Sequence, residues 1–174
     1  MRRRLLPGGN PRALSERRIG IISDTHGLLR PEALDALAGV SAIIHAGDVG
    51  SPDIIAALGR LAPVTVVGGN VDPPGAYPMT ATVDLGGLVA GVAHGHRAPP
   101  GKRVPWLRKT FPRAGLIVFG HTHVPEISDQ GGWTLLNPGA AGPQRFRAPP
   151  TLVILVVGPG GARPELVELT SGPP

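Results

Sequence analysis

No cysteine occurs among the 174 residues, so no disulfide holds the fold, and any metal site must be built from His, Asp, Asn or Glu. Such donors suit hard and borderline ions. Aromatic residues are nearly as scarce, Phe, Trp and Tyr together making up 3%, which argues against the stacking platform that single-stranded nucleic acid requires. No apolar run approaches the roughly 18 residues of a membrane span. The opening Met-Arg-Arg-Arg also lacks the apolar stretch of a secretory signal. A cytoplasmic protein without a membrane partner is therefore expected. Acidic residues are outnumbered 12 to 17 by Lys and Arg, giving a net charge of +5. Much of that excess sits at Arg2, Arg3, Arg4, Arg12 and Arg17, in a tail rather than in a basic stripe. An obligate nucleic-acid partner is not expected.

What is abundant is glycine and proline, 26 and 21 residues, alongside a hydrophobic content of 41%. That hydrophobic share belongs to a globular chain, so the excess reads as loops around short strands. The length fits one domain that buries roughly 70% of its unfolded surface. Residues 1–17 lack hydrophobic periodicity and read as a flexible basic arm, leaving 18–174 as a single domain. Apolar runs alternate with helix-like patterns from there on, the mark of an α/β chain. Strands are expected at Ile19 to Asp24, Ala42 to His45 and Val64 to Val67. Helices are expected from Pro31 to Leu37 and from Pro52 to Leu58, the latter with Ser51 as N-cap. After Asp72, Gly86-Gly87 separates Thr80 to Leu85 from Leu88 to Ala93, a hairpin signal that begins a second sheet. A helix from Pro105 to Phe111 and strands at Leu116 to Phe119, Thr134 to Leu136, Thr151 to Val157 and Leu166 to Leu169 follow.

The polar residues carry the chemistry through their position. Apolar strands end in Ser23-Asp24-Thr25-His26-Gly27, His45-Ala46-Gly47-Asp48, Gly68-Gly69-Asn70, Ala93-His94-Gly95-His96 and Gly120-His121-Thr122-His123, and all six histidines lie in these clusters. In open α/β sheets ligands bind at the carboxyl ends of the strands, so the clusters should converge. Asp24 and His26, like His121 and His123, are two residues apart, which puts both side chains on one face of an extended segment. A lone Asp-x-His is more often a turn or cap than a metal site, and a lone Gly-Asp or Asn is an ordinary turn signal. Their combination in one domain is not ordinary. The candidate metal ligands are Asp24, His26, Asp48, Asn70, His94, His121 and His123.

In that order these motifs resemble those of the calcineurin-like metallophosphoesterases, and the chain looks similar to their compact bacterial and archaeal phosphodiesterase branch. The likeness runs from Arg18 to about Thr170 and takes in Asn137-Pro138-Gly139 as well. It implies a four-layer α/β/β/α sandwich of two mixed β-sheets flanked by helices, with a dinuclear metal site at the carboxyl ends of the strands. It also implies that one metal takes Asp24, His26, Asp48 and His123 and the other Asp48, Asn70, His94 and His121, Asp48 being the bridge. Two departures stand out. Many relatives carry a histidine directly after the asparagine, thought to protonate the leaving group, where this chain has Val71. An aspartate often found three residues after the bridging one is here Ser51, which leaves Asp53 as a candidate to orient His26.

These features predict a phosphodiesterase in which a hydroxide bridging two divalent ions attacks phosphorus, Asp48, Asn70 and His96 acting as catalytic residues. Manganese is the first expectation, with Fe, Ni, Co or Zn also compatible. Asn70, His96 and Arg97 are the candidate contacts to a small phosphoester substrate, while His45 reads as structural. Arg103 and Arg108 make the stretch around Arg97 look like a solvated basic segment. Two rivals remain: a non-catalytic metal-binding scaffold like the retromer subunit that shares this fold, and a nuclease. The sequence leaves a homo-oligomer open.

Overall fold

The computed structural model describes residues 16–144 and 148–170. The expected arm at 1–17 falls mostly outside them, but Arg17 already pairs with Val157, so the first strand starts two residues earlier than expected and takes in the last residue of the expected arm. The order of elements is β1 (Arg17–Ile22), α1 (Pro31–Ala36), β2 (Ala42–His45), α2 (Pro52–Gly59), β3 (Val64–Val66), β4 (Thr80–Asp84) and β5 (Val89–Ala93). Then come α3 (Arg103–Thr110), β6 (Leu116–Val118), β7 (Glu126–Asp129), β8 (Thr134–Asn137), β9 (Thr151–Gly158) and β10 (Gly161–Glu168). Two five-stranded sheets result, ordered β10-β9-β1-β2-β3 and β4-β5-β6-β8-β7. Both are mixed: β1-β2-β3 and β5-β6-β8 pair in parallel, while β9, β10, β4 and β7 join antiparallel.

The period-two alternation of the strands builds the layers. In β1 and β2, Ile22 and Ile43 face α1 and α2, joining Ala33, Leu37, Ile54 and Leu58 in an outer core. Their neighbours Ile19, Ile21 and Ile44 point the other way and meet Val92, Leu116, Val118 and Leu136 of the second sheet. That sheet in turn sends Ile117 and Leu135 to its far side, against Leu107 and Phe111 beneath α3. Three apolar interfaces among four layers give the α/β/β/α sandwich, and each fully buried Ile or Leu stabilises it by about 2 kcal/mol. The Ser51 hydroxyl accepts from the Asp53 backbone N–H, which caps α2 with Pro52 in its first turn.

Strand β7 was not expected, because only Ile127 interrupts its polar run, and it lies mostly exposed at a sheet edge. Strand β10 begins well before Leu166, and Pro164 is tolerated there because β10 is likewise an edge. The consequence for the site is topological. Both sheets turn the carboxyl ends of their parallel strands toward one rim, and backbone hydrogen bonds stitch the loops there. Asp24 donates to Gly47 O, His26 to Asp48 O and Gly120 to His94 O.

Candidate metal centre

The strand ends meet where expected. One donor atom each from Asp24, His26, Asp48 and His123 lies within 4.8 Å of all the others. His123 Nε2 stands 3.1 Å from Asp24 Oδ1. His26 Nε2 is 3.2 Å from His123 Nε2 and 3.7 Å from Asp48 Oδ2. A second group adjoins the first through Asp48. His94 Nε2 lies 3.3 Å from Asp48 Oδ2 and 3.2 Å from Asn70 Oδ1, and His121 Nδ1 lies 3.1 Å from that same Asn70 oxygen.

Local structure explains how these side chains are aimed. Among the described residues, the non-glycine positions with positive φ are Asp24 (54°), His26 (45°), Asp48 (54°), His121 (70°) and His123 (60°). Left-handed backbone costs an L-residue about 1–2 kcal/mol, and Asp and His are among the types that accept it. Strain is thus concentrated at the candidate ligands, the usual signature of a functional constellation. Two glycines make the close approach feasible. A Cβ at Gly69 would run into the Asp48 carboxylate, and one at Gly120 into the Ser23 hydroxyl and Asp24 Oδ2.

A shell of fixed hydrogen bonds holds the carboxylates. Asp24 Oδ2 accepts from the Ser23 hydroxyl at 2.6 Å and from the His121 backbone N–H at 3.2 Å. Its Oδ1, buried, has no hydrogen-bond donor. Asp48 Oδ1 accepts from the Val71 N–H at 3.0 Å. Burial alone would raise the Asp48 pKa, but the His94 hydrogen bond, the Val71 N–H and the charges of His94 and His26 hold it down to about 2. For His94, burial pulls the pKa down, yet the Asp48 hydrogen bond and the Asp24 and Asp48 charges leave it raised. Burial lowers the His121 pKa, and the charges of His94 and Arg103 lower it further. In His96 burial, His94 and His121 act in the same direction.

The donor set fits divalent ions on grounds of its own. His94 Nδ1 lies 2.8 Å from the Ala46 carbonyl and must carry the proton there. A protonated ring would donate from Nε2 to Asp48 Oδ2, whereas in the neutral ring that a metal requires Nε2 turns a lone pair toward Asp48 Oδ2 and Asn70 Oδ1, which calls for a cation among them. Asp24 Oδ1 makes the same demand. Carboxylate, amide and imidazole donors together suit first-row divalent metals.

The remaining predicted residues divide. His45 is structural: buried, it takes the Gly47 N–H on Nδ1 and gives its Nε2 proton to the Thr25 hydroxyl, which donates to Val49 O. Burial lowers its pKa to about 4, so the ring is neutral. His96 faces the centre, its ring 5.4 Å from that of His94 and 6.3 Å from that of His121. Arg97 is exposed, and Asp53 is exposed in the first turn of α2. The acid that fastens this side of the site is Asp72, whose oxygens accept from Gly50 N–H at 3.0 Å and Gly69 N–H at 2.8 Å, tying the Asp48 loop to the Asn70 loop. Asn137 does the same across the second sheet. Its amide donates to Gly120 O and to the Thr122 hydroxyl, both at 2.9 Å, fixing the loop of His121 and His123. For Asp72 the sequence held one signal, an acid two residues beyond a candidate ligand; for Asn137 it held the Asn-Pro-Gly motif.

Comparison with known proteins agrees with this geometry. A model of the calcineurin-like phosphoesterase superfamily domain matches residues 18–159. A probable metallophosphoesterase of Methanothermobacter thermautotrophicus is 37% identical over 149 residues, covering 80% of this chain and 86% of that one. Among solved structures, an archaeal phosphodiesterase superposes with a TM-score of 0.66 at 22% identity, covering 86% of this chain and 99% of that one. Wild-type Vps29 of Entamoeba histolytica, complexed with zinc, does so at 0.67 and 23%, covering 88% and 99%. The two structural likenesses attest the fold, and the family match covers most of the chain: it belongs to the calcineurin-like phosphoesterase superfamily.

Proposed function

We propose that this chain is a metal-dependent phosphodiesterase holding two divalent ions, manganese foremost. Asp24, His26, Asp48 and His123 would surround one ion, and Asp48, Asn70, His94 and His121 the other. The observation that carries the reading is the convergence of donor atoms from Asp24, His26, Asp48 and His123 within 4.8 Å of one another, with Asp24 Oδ1 buried and without a hydrogen-bond donor. Such ions acidify water and offset charge on phosphate oxygens.

The chain's own residues do the rest. The buried carboxylates of Asp24 and Asp48 supply the negative charge, with Asp48 shared because it faces both groups. Asn70, exposed at the mouth, turns its oxygen toward His94 and His121, which leaves its NH2 to donate to a phosphate oxygen. His96, its ring 5.4 Å from that of His94 and its buried Nδ1 without a partner, is the candidate to donate to a phosphate or leaving-group oxygen in the tautomer that carries the proton on the nitrogen facing it. Val71, 48% exposed beside Asn70, offers no proton. The expected consequence is a preference for phosphodiesters with good leaving groups, such as aryl esters.

The test is a series of phosphodiesters with leaving groups of rising pKa, assayed with manganese on wild type, Val71→His and His94→Ala. A steep dependence in wild type, with a gain of about tenfold or more on alkyl esters in Val71→His, is expected. A flat wild-type dependence sinks the missing-acid account. Equal hydrolysis by wild type and His94→Ala sinks the enzyme itself. Metal bound without hydrolysis of any ester would favour the scaffold reading, which the likeness to Vps29 keeps in view.

A further inference from the structure

Arg103 is the first residue of α3, and its side chain does not lie in solvent as a basic surface segment would. Its stem passes beside Gly95, Cδ lying 3.6 Å from where a Cβ there would sit, so it runs under the turn between His94 and His96. The guanidinium carbon is 5.6 Å from the centroid of the Phe119 ring, and Phe119 is buried two residues before His121. That cation–π contact holds the guanidinium over the ring. Nε is buried and finds no acceptor, and among the described residues no carboxylate lies within ion-pair range of Arg103. A buried unpaired guanidinium donor costs stability unless something else accepts from it.

The neighbouring cations contrast with it. Arg108 is committed to structure, donating to Phe111 O and to Ala114 O at 2.8 Å while stacked on Trp133. Arg97 is exposed. His96, on the turn that Arg103 passes beneath, has a buried Nδ1 without a hydrogen-bond partner. Arg103 also lines a cavity together with Ala98, Pro99, Pro100 and Gly101. Two unpartnered nitrogens, Arg103 Nε and His96 Nδ1, thus lie near His94 and His121, the imidazoles of one half of the candidate centre, and planar forks suit the paired oxygens of a phosphate.

We propose that Arg103, rather than Arg97, is the cation that grips the non-bridging oxygens of the substrate phosphate, working with His96 on the His94 and His121 side of the site. This inference rests on the phosphoesterase reading. Its test compares manganese-loaded wild type, Arg103→Gln, Arg103→Lys, Arg97→Ala and Lys109→Ala by metal content, by calorimetric binding of inorganic phosphate, and by KM and kcat for bis(p-nitrophenyl) phosphate. Arg103→Gln keeps the stem and a donor but removes the charge. It should retain its metal, weaken phosphate binding and raise KM by about tenfold or more. Arg103→Lys should recover part of that loss, and Arg97→Ala should lose less than Arg103→Gln. Lys109→Ala, the same charge change further along α3, should stay within about twofold. The proposal fails if Arg103→Gln binds phosphate as wild type does, if it loses metal along with phosphate, or if wild type binds no phosphate at all. Wild type that binds phosphate but hydrolyses no ester would bring down the enzymatic reading, while the phosphate comparison would still decide the role of Arg103.

Discussion

The two sheets contribute unlike halves to the candidate centre. The β10-β9-β1-β2-β3 sheet supplies Asp24, His26, Asp48 and Asn70, three oxygen donors and one imidazole, with both carboxylates at 2% exposure or less. The β4-β5-β6-β8-β7 sheet supplies His94, His121 and His123, all imidazoles, of which the latter two are partly exposed. Negative charge therefore comes wholly from one layer, buried and held by backbone N–H groups and the Ser23 hydroxyl, and the other adds imidazole nitrogens, buried at His94 and partly exposed at His121 and His123. The first half creates the attraction for a cation, and the second completes its surroundings.

That division is open to direct challenge. The largest effect is expected for Asp48→Asn, which removes the charge facing both groups: metal content should collapse and hydrolysis fall by about a thousandfold or more. Elemental analysis beside kinetics checks this, and retention of both metals would break the proposed asymmetry. A smaller loss is expected for His121→Ala, which removes one partly exposed neutral donor: about one ion per chain should remain, with activity down about a hundredfold. Metal loss as complete as in Asp48→Asn would mean that the halves are equivalent.

The smallest effect concerns the scaffold of the carboxylate half. The folded His45 pKa of about 4 lies below its ordinary value of 6.5. Above pH 6.5 the ring is neutral in both states and contributes no pH dependence. As pH falls from 6.5 to 4, the unfolded chain takes up a proton that the folded chain refuses, and stability declines by up to about 3 kcal/mol. The thermal midpoint of His45→Gln should therefore fall less than that of wild type between pH 7 and pH 4.5. Parallel curves would show that His45 is not the buried neutral group of the Thr25 network.

What the sequence disclosed and what it hid follow the same physical line. Strand ends such as Gly47-Asp48 and Gly120-His121-Thr122-His123 were legible because buried strands are apolar, so a polar residue at their tips is conspicuous. Ser51 and Pro52 announced α2 because a cap is a local interaction. Strand β7 stayed hidden because an edge strand, exposed in three of its four residues, needs no hydrophobic alternation. Asp72 was marked only by its place two residues beyond Asn70, and its role, like that of Arg103, stayed hidden for another reason. Their roles depend on groups brought near by folding, Gly50 for one and the Phe119 ring for the other, and no spacing rule reports such meetings. Read as a run, Arg97, Arg103 and Arg108 look alike, and only their surroundings separate them.

The five left-handed non-glycine positions among the described residues bear on descent as well as on chemistry. Because the fold itself imposes that backbone, replacements at Asp24, His26, Asp48, His121 and His123 pass a conformational filter before any catalytic one. Glycine and asparagine pass easily, whereas valine, isoleucine or threonine would burden folding even in a descendant that had given up hydrolysis. Related lineages should therefore replace these five residues along a narrow set of substitutions, and keep the backbone shape of the rim whatever it binds.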